Sequence, residues 1–575
     1  MTLQDTRRRQ GQLPLESYAA IGDGWTVALS GADGGLDWWC APRLDDEPVL
    51  DRLLNRGGSH FSIRPRGRFT ADRSYRPASN TLVTEFKTAQ GRVRLSEGMP
   101  VDPAGEPARE IIRRIEGLEG RVEIKVELRP AAGRACRLAA VPPVDLTPGP
   151  GGILTAGLCL EAGQCWTLTL GLDGTPAPDG APDRFQRADE TWRAWAEGLR
   201  VEGPYTDLVV RHALALKLLC APSGAVPAAA TTSLPEKMGG KRNWDFRYVW
   251  IRDAAYAVEA LVEIGAMEDA VRAFEWLIAR ISAHGPSVAF DLDGALAPMD
   301  RELDLPGYRG SRPVHVGNLA TRQRQHGVFG DMMQAAHRLA RAGWRPGPGV
   351  AVALVGLADE SMEAWRTPDA GIWELSEPRL YANSRLSCWQ ALARAVDLAD
   401  ADLLPAERRE RWAATRDLVS AWIEERCWSE PRQAYVGWPG SEVIDASLAL
   451  MARAGFGAPQ RVESTLAAID GELGCGLFHH RMSGVQDSEG CFLACSFWVI
   501  EAKARLGRIA EAAASFEALV VALGGVGVLP EMAEAGSGRW LGNMPQGLTH
   551  IALIQAAAAI SRGPGPEEPL GRTPR

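Results

Sequence analysis

Short alternations of apolar and polar residues dominate the first third of the chain. They lie between Gly, Pro and Asp clusters such as Pro148–Gly152, which is the pattern of half-buried β-strands joined by turns. Many short strands without a helical period predict an antiparallel β-sandwich over residues 1–190. The clearest predicted strands are Leu82–Lys87, Gly91–Leu95, Glu110–Ile115, Val122–Leu128 and Cys165–Leu170.

The period changes near Arg184, after which apolar residues recur every three to four positions, as in amphipathic helices. A polar, Trp-containing helix over Asp189–Leu199 is predicted as the linker to about residue 200. Twelve further helices are predicted at about 205–221, 254–265, 267–283, 327–342, 349–366, 384–401, 406–427, 442–455, 459–473, 495–507, 508–524 and 544–562.

Twelve helices in consecutive pairs predict a closed ring of six hairpins, an all-α (α/α)6 barrel, over residues 201–562. The chain is therefore expected to be multidomain, as its 575 residues exceed what one ordinary core supports. An irregular α-solenoid is the competing architecture, but no fixed-period repeat supports it. The tail, 563–575, is rich in Pro and Gly and is predicted to be disordered.

Charge and composition exclude several classes of function. The net charge of −9 and the pI of about 5.7 argue against nucleic acid as a partner, because phosphate binding needs a basic face. No apolar run approaches the roughly 18 residues of a membrane span. Met1–Pro14 is polar and has no signal-peptide core, so a cytoplasmic protein is predicted. The ten cysteines are scattered, no metal-ligand pattern is visible, and no cofactor is expected.

Four polar and aromatic segments interrupt the helical region, and loops of this kind usually carry the binding site of a helical ring. Nineteen Trp against eight Tyr add flat apolar faces that suit sugar rings, although tryptophan is also an ordinary core residue. The segments predict one site at one end of the helical domain. They are Gly239–Asp253, Gly307–Val314 with Gly317–Asn318, Pro368–Glu374, and Val528–Met532 with Gly542–Gln546.

Two glutamates in these loops are candidates for acid–base chemistry on an acetal. Acetal hydrolysis needs an acid that protonates the leaving oxygen and a carboxylate that attacks the sugar or activates water. Glu374 follows Trp373, an apolar neighbour expected to raise its pKa, and Glu531 lies between Pro530 and Met532. From residue types alone, ordinary surface glutamates are the simpler interpretation of both.

Together, these motifs resemble glycoside hydrolase family 15, the family of glucoamylases, glucodextranases and bacterial and archaeal trehalases. Each string alone is weakly specific, but their order and spacing cover almost the whole chain. Tyr18–Gly24 and Asp33–Asp45 are similar to the opening of the prokaryotic members' β-sandwich. The other matches are Leu214–Leu219, Ala230–Glu236, Asn243–Asp253, Tyr308–Val314, Gly371–Glu374, Cys495–Trp498 and Gly542–Gln546.

The resemblance implies a role for each residue that matches a family motif. Glu374 matches the general acid, and Glu531 matches the general base that activates the attacking water. Arg252 and Asp253 match the pair that binds the hydroxyls of the non-reducing-end glucose through charged hydrogen bonds. The other implied site residues are the pocket walls Trp250 and Trp373 and the weaker candidates Trp244, Asp245 and Arg312.

The chain also departs from the family pattern. Many relatives carry an aspartate and a tyrosine in a Gln-x-Gln-x-Asp-x-Tyr-Gly-Glu stretch, where this chain has Gly327 and Phe329. The segment after Glu374 is one residue shorter than the trehalase-like pattern and lacks its early arginine. The loop around Glu531 resembles glucoamylases, whereas Gly542–Gln546 resembles the trehalase-type branch.

The sequence therefore predicts an inverting, exo-acting hydrolase that releases β-glucose from α-glucosides. The expected partner is a small-molecule or oligosaccharide substrate; trehalose, maltooligosaccharides and α-1,6 glucosides stay open. Phosphorolysis or glucosyl transfer in a similar barrel is an alternative, but phosphate would then replace the second carboxylate, so Glu531 argues against it. A non-catalytic carbohydrate-binding relative is favoured only by Gly327 and the altered flank of Glu374.

Overall fold

The computed structural model describes residues 5–101, 105–131, 133, 136–173, 178–565 and 570. Most of the predicted disordered tail, 566–569 and 571–575, lies outside the described residues. An antiparallel β domain precedes an α-helical region, in the order that the periodicity predicts. In the described part of the chain, no helix combines the length and apolarity that crossing a bilayer requires.

The N-terminal domain is one sheet in which every strand pairing among the described residues runs antiparallel. Side chains from strands on both halves of the sheet, such as Phe61, Phe86 and Ile124, are fully buried in one hydrophobic cluster. The strands of the described residues are β1 Tyr18–Gly22, β2 Val27–Gly31, β3 Gly35–Cys40, β4 Pro48–Leu50, β5 His60–Pro65, β6 Phe69–Tyr75, β7 Leu82–Thr88, β8 Gly91–Gly98, β9 Glu110–Arg129, β10 Cys136–Val141, β11 Thr147–Pro148, β12 Leu154–Glu161 and β13 Cys165–Leu172.

Strand β9 replaces two shorter strands that the sequence predicts. Its first half pairs with β8 and β13, and its second half pairs with β5 and β12. The glycines that suggested a break lie where the backbones approach closely: a Cβ at Gly117 would meet the Glu161 carbonyl oxygen at 2.2 Å. A Cβ at Gly120, whose φ is +68°, would meet the Gln90 oxygen at 2.0 Å. These glycines permit a continuous strand instead of ending it.

The helical region follows the predicted segments in order. The described helices are α1 Ala181–Glu197, α2 Thr206–Lys217, α3 Ile251–Glu263, α4 Met267–His284, α5 Gly327–Arg341, α6 Pro348–Ala364, α7 Ala382–Asp400, α8 Arg409–Arg426, α9 Leu450–Ala454, α10 Pro459–Leu473, α11 Leu493–Arg505, α12 Ile509–Leu523 and α13 Gly547–Arg562.

Two helices differ most from the predicted bounds. The linker helix α1 starts eight residues earlier than predicted, with a proline in its first turn, where proline's fixed φ is favourable. Helix α9 is much shorter than the predicted 442–455, because Asp445 bridges Met482 in extended conformation. The Asp445 side chain then caps a short 3-10 helix, Ala446–Ala449, that precedes α9.

The helices alternate between two environments. Helices α3, α5, α7, α11 and α13 are buried along nearly their whole length. Helices α4, α6, α8, α10 and α12 bury one face and expose the other. Contacts join α3 to α5, α5 to α7, α11 to α13, and α13 back to α3. The buried helices therefore lie next to one another, and the half-buried ones cover them.

The β domain fixes two loops at one end of the helical region. The indole Nε1–H of Trp38 donates to the Ala230 carbonyl at 2.9 Å, and the Tyr308 hydroxyl donates to the Leu13 carbonyl at 2.7 Å. Short strands also order the loops: β14 Val249–Trp250, β15 Ala289–Phe290, β16 Arg301–Leu303, β17 Val314–Val316, β18 Trp428–Ser429, β19 Ala434–Tyr435, β20 Gly474–Cys475, β21 Phe478–His479, β22 Cys491–Phe492, β23 Met532–Ala533 and β24 Trp540–Leu541.

Candidate active site

The four polar loops meet around one cavity of about 380 Å³. Its wall combines charged groups with a large aromatic and aliphatic surface, as is usual for a small-molecule site. Most of the residues that the sequence singles out face this space. Those that line it are Trp244, Trp250, Arg252, Asp253, Trp373, Glu374 and Glu531.

Glu374 reaches the cavity from the loop between α6 and α7. Its backbone φ is +58°, which is rare for a residue with a Cβ and is typical of constrained functional sites. The Glu374 carbonyl accepts a hydrogen bond from Gln323 Nε2 at 3.0 Å, and its N–H donates to the Gly371 carbonyl at 3.3 Å. These contacts hold the unusual conformation and direct the side chain into the cavity.

The carboxyl group of Glu374 lies among apolar walls and two donors. Its Oε1 accepts the indole N–H of Trp250 at 2.7 Å and lies 3.5 Å from Nη1 of Arg252. Burial raises the pKa of the carboxyl above its ordinary value, although Arg252 and the Trp250 hydrogen bond act in the opposite direction. The net effect keeps the proton on Glu374 to higher pH than on an ordinary glutamate, which is the direction that general acid catalysis requires.

A buried ion pair anchors this loop behind Glu374. Asp369 is 1% exposed and accepts a hydrogen bond from Arg385 at 3.0 Å. Its other oxygen accepts the Ser384 hydroxyl at 2.7 Å and the backbone N–H of His326 at 3.0 Å. Asp369 therefore joins the start of the loop that carries Glu374 to helices α5 and α7.

Arg252 and Asp253 lie in the first turn of α3, directly after β14. The Nη2 and Nε atoms of Arg252 contact Asp253 Oδ2 at 2.9 and 3.1 Å. Nη1 of Arg252 also donates to the Ile372 carbonyl at 2.7 Å. The pair thus presents an ordered guanidinium and a carboxylate to the cavity, and both can bind sugar hydroxyls.

Glu531 lies directly before β23, and its side chain is 2% exposed. Its Oε2 accepts the backbone N–H of Asn543 at 3.2 Å. Gly542, whose φ is +71°, leaves the space that this carboxyl fills, because a Cβ there would lie 2.4 Å from Glu531 Oε2. Burial raises the pKa of Glu531 well above its ordinary range, and the negative charge of Glu236 adds to the effect.

The aromatic wall is held by specific contacts. Trp373 donates its indole N–H to Asp445 at 2.8 Å and packs on Trp498 with ring centroids 6.0 Å apart. Trp250 packs edge-to-face on Phe246, at 5.5 Å. These rings have fixed orientations, so they give the cavity a defined shape.

Two residues that the sequence places at the site do not line this cavity. Asp245 is fully buried and pairs with Arg247, whose Nη2 lies 2.7 Å from Asp245 Oδ2. Arg312 has 55% of its side chain exposed and pairs with Asp304 at 2.7 Å. Because their charged ends are turned to these partners, Asp245 supports the loop from within and Arg312 lies at the surface.

Several residues that line the cavity escaped the sequence-based choice of site residues. Glu236 and Gln546 lie in quoted motif segments, so the motif was a signal, but neither was selected. Gln323 begins the Gln-x-Gln stretch in which the chain departs from the family pattern, and Arg481 stands in no motif segment. All four line the cavity, and only the folded arrangement brings them there.

Chemically, the cavity offers the carboxyls of Glu374 and Glu531 on separate loops, two more carboxyls on Glu236 and Asp253, and several guanidinium groups. In the described residues, no group of three or more His, Cys, Asp and Glu side chains is placed to hold a metal ion. This arrangement suits proton transfer to and from a polyhydroxylated substrate.

Comparisons with known proteins find relatives that match this chain over most of its length. The sequence model of glycosyl hydrolases family 15 matches residues 203–558. A trehalase of Mycobacterium tuberculosis is 31% identical over 96% of this chain and 90% of its own length. A trehalase of Thermoplasma acidophilum is 31% identical over 92% of this chain and 98% of its own. A bacterial glucoamylase, solved in complex with acarbose, shares the fold at a TM-score of 0.70 and 13% identity, over 98% of this chain and 95% of that one.

Proposed function

The chain belongs to glycosyl hydrolases family 15 and is a glycoside hydrolase, and on this basis we propose that it is an exo-acting α-glucoside hydrolase that inverts the anomeric carbon. Trehalose is the first substrate to test. The support for trehalose is the identity of 31% to trehalases over nearly the full length of both chains.

In the proposed reaction, Glu374 protonates the glycosidic oxygen and Glu531 removes a proton from the attacking water. An inverting enzyme needs space for that water, so its two carboxyls stand roughly 6.5–9.5 Å apart. The observation that supports this assignment most directly is that both carboxyls line the same cavity, although Glu374 lies between α6 and α7 and Glu531 lies between α12 and α13. Burial raises the pKa of Glu374 in the direction that an acid needs, but it raises the pKa of Glu531 as well. The two roles are therefore assigned from the family motifs and from the place of Glu374 beside Arg252.

Substrate binding is assigned to the groups beside the acid. Arg252 and Asp253 bind hydroxyls of the glucose at the non-reducing end, and Trp250 and Trp373 form its apolar walls. Since Arg252 contacts both Asp253 and Glu374, a sugar bound to this pair lies next to the proton donor. Such placement reduces the entropic cost of reaching the transition state.

The architecture behind this site is proposed to be an (α/α)6 barrel, residues 201–562, joined to a β-sandwich domain, residues 1–190. The alternation of buried and half-buried helices and the contact between α13 and α3 support a closed ring over an open solenoid. A closed ring explains why loops distant in sequence share one cavity.

Substitution of each glutamate tests the assignment. Glu374→Gln and Glu531→Gln should each lower kcat on trehalose by roughly 10²–10⁴-fold and leave the circular dichroism spectrum unchanged. Glu377→Gln is the matched control, because Glu377 lies on the same loop with 68% of its side chain exposed. Near wild-type turnover in either cavity variant would show that its carboxyl has another role.

A further inference from the structure

Five charged side chains form a cluster on the Glu531 side of the cavity. Glu236, Glu489 and Glu531 are 3%, 4% and 2% exposed, and Arg481 is 7% exposed. Arg242 closes the cluster, with 37% of its side chain exposed. If all five groups were ionised, three carboxylates would face two guanidinium groups, which leaves one negative charge without compensation.

The two arginines form ion pairs with Glu236 and Glu489, and neither forms one with Glu531 in the described part of the chain. Nε and Nη2 of Arg481 form a two-point contact with Glu489, at 2.7 and 2.6 Å. Nε of Arg242 donates to Glu236 Oε2 at 2.5 Å, and its Nη2 lies 3.3 Å from Glu489. Glu531 accepts only the Asn543 N–H and forms no ion pair among the residues that the structure describes. Glu531 is therefore the uncompensated member of the cluster.

Backbone hydrogen bonds prevent the cluster from separating. The Gly542 N–H donates to the Pro235 carbonyl at 2.9 Å, and the Gly490 N–H donates to the Glu236 carbonyl at 2.7 Å. The Glu531 N–H donates to the Asn543 carbonyl at 3.0 Å. The segments that carry Glu236, Glu489 and Glu531 are thus held together, so the carboxyls cannot move apart to relieve their repulsion.

Given the proposed role of Glu531, we propose that Glu236 is a positioning residue for it: its charge, balanced by Arg242, determines whether Glu531 is ionised when the attacking water binds. Glu236 Oε1 accepts no hydrogen bond from the described protein residues, and Glu236 lines the cavity beside Glu531.

The physical reason is that like charges in a buried site resist simultaneous ionisation. Burial raises the pKa of Glu236, and burial together with Glu236 raises the pKa of Glu531. Arg481 and the Asn543 N–H favour the ionised form of Glu531, whereas Glu489 opposes it. The two carboxyls titrate as a pair, and the pair keeps a proton to higher pH than an isolated glutamate would.

The other charged groups that line the cavity lie beside the acid. They are Arg252, Asp253 and Glu374. Burial is the largest cause of the pKa shift of Glu374, followed by Arg252, Asp253, Trp250 and Arg481, and Glu236 is not among these causes. A change at Glu236 should therefore move the ionisation of Glu531 and leave that of Glu374 in place.

The test is the pH profile of kcat/KM on trehalose for Glu236→Gln. Its acid limb, which reports the base of the free enzyme, should move to lower pH by about one unit, because one like charge is removed. Its alkaline limb should stay unchanged. Arg242→Gln should move the acid limb in the opposite direction, since Glu236 then loses its partner. Glu534→Gln is the control: this carboxyl lies on the same loop, pairs with Arg539 at 2.7 Å, and should leave both limbs unchanged.

An acid limb that stays in place in both Glu236→Gln and Arg242→Gln, with unfolding midpoints like the wild type, would overturn the inference. If Glu236→Gln does not fold, the shift in Arg242→Gln alone decides the question. Failure of the proposed function would give another result, namely that Glu531→Gln retains its activity on trehalose. An inactive Glu531→Gln together with an unmoved acid limb removes only the role of Glu236.

Discussion

The hydrogen bond between Trp250 and Glu374 allows a direct test of how the pKa of the proposed acid, Glu374, is set. Trp250→Phe keeps an aromatic ring in the wall but removes the indole N–H that donates to Glu374 Oε1 at 2.7 Å. This donor stabilises the ionised carboxylate and so lowers the pKa of Glu374. Without it, the carboxyl should hold its proton to higher pH.

The size of the change follows from the strength of one charged hydrogen bond. Such a bond contributes about 1.5–3 kcal/mol, and one pKa unit corresponds to about 1.36 kcal/mol, so the upper limit is about two units. The protonated carboxyl also accepts this hydrogen bond, although more weakly. The difference between the two forms is therefore smaller than the full strength of the bond, and a pKa shift of about one unit is expected. The alkaline limb of kcat/KM should move upward by that amount, because activity is lost when the acid deprotonates.

The matched control is Trp498→Phe. Trp498 lines the same cavity and is 1% exposed, but its buried Nε1 has no hydrogen-bond partner among the described residues. This variant loses similar volume without losing a bond to Glu374, so its alkaline limb should match that of the wild type. Equal shifts in both variants, or a downward shift in Trp250→Phe, would refute the reasoning.

Three further predictions concern stability, each read from the urea unfolding midpoint. Asp369→Ala leaves Arg385 buried without its partner and should cost about 3–5 kcal/mol; a change below about 1 kcal/mol would contradict this. Gly327→Ala should stabilise by about 0.4–1 kcal/mol, because the added Cβ meets only Asp331 Oδ2, at 3.6 Å. Gly330→Ala, whose Cβ would lie 2.6 Å from a backbone oxygen of α7, should destabilise instead. Burial raises the pKa of Asp331 in the folded protein. Folding therefore favours the protonated carboxyl, and this contribution to stability is complete below about pH 4 and is lost as the pH rises through the folded-state pKa. Asparagine carries no charge at any pH, so Asp331→Asn should raise the unfolding midpoint more at about pH 8 than at about pH 4.

Periodicity predicted the order of helices because each helix buries a continuous face. Helix α10 begins and ends where the pattern places it, at Pro459 and Leu473. Periodicity did not predict that β9 is a single strand. Gly117 and Gly120 are residue types common in turns, and only the folded structure shows the neighbouring backbones that require glycine there. The start of α9 was also missed, because Asp445 is held by a bridge to Met482, which is distant in sequence.

The candidate site was predictable where chemistry and motif coincide on one short segment. The segment that ends in Arg252 and Asp253 is an example, and both residues line the cavity. Asp245 belongs to the same segment but does not line the cavity. Its carboxylate pairs instead with Arg247, whose Nη2 lies 2.7 Å from Asp245 Oδ2. A local pattern cannot distinguish these two outcomes, since the direction of a loop side chain depends on the packing around it.

The charge cluster around Glu531 could not be predicted from the sequence, for a different reason. Arg481 and Glu489 form an ordinary-looking pair eight residues apart, and Glu236 lies almost three hundred residues before Glu531. Their importance arises from burial and from the balance of charges, and both are properties of the assembled site.

The most direct test of the proposed chemistry is the anomeric form of the first products of trehalose hydrolysis, followed by proton NMR before mutarotation. Inversion by water that Glu531 activates converts the attacked glucose to the β form, while the departing glucose keeps the α form. The proposed function therefore predicts equal initial amounts of α- and β-glucose. Release of α-glucose alone would mean retention and would contradict the roles proposed for Glu374 and Glu531.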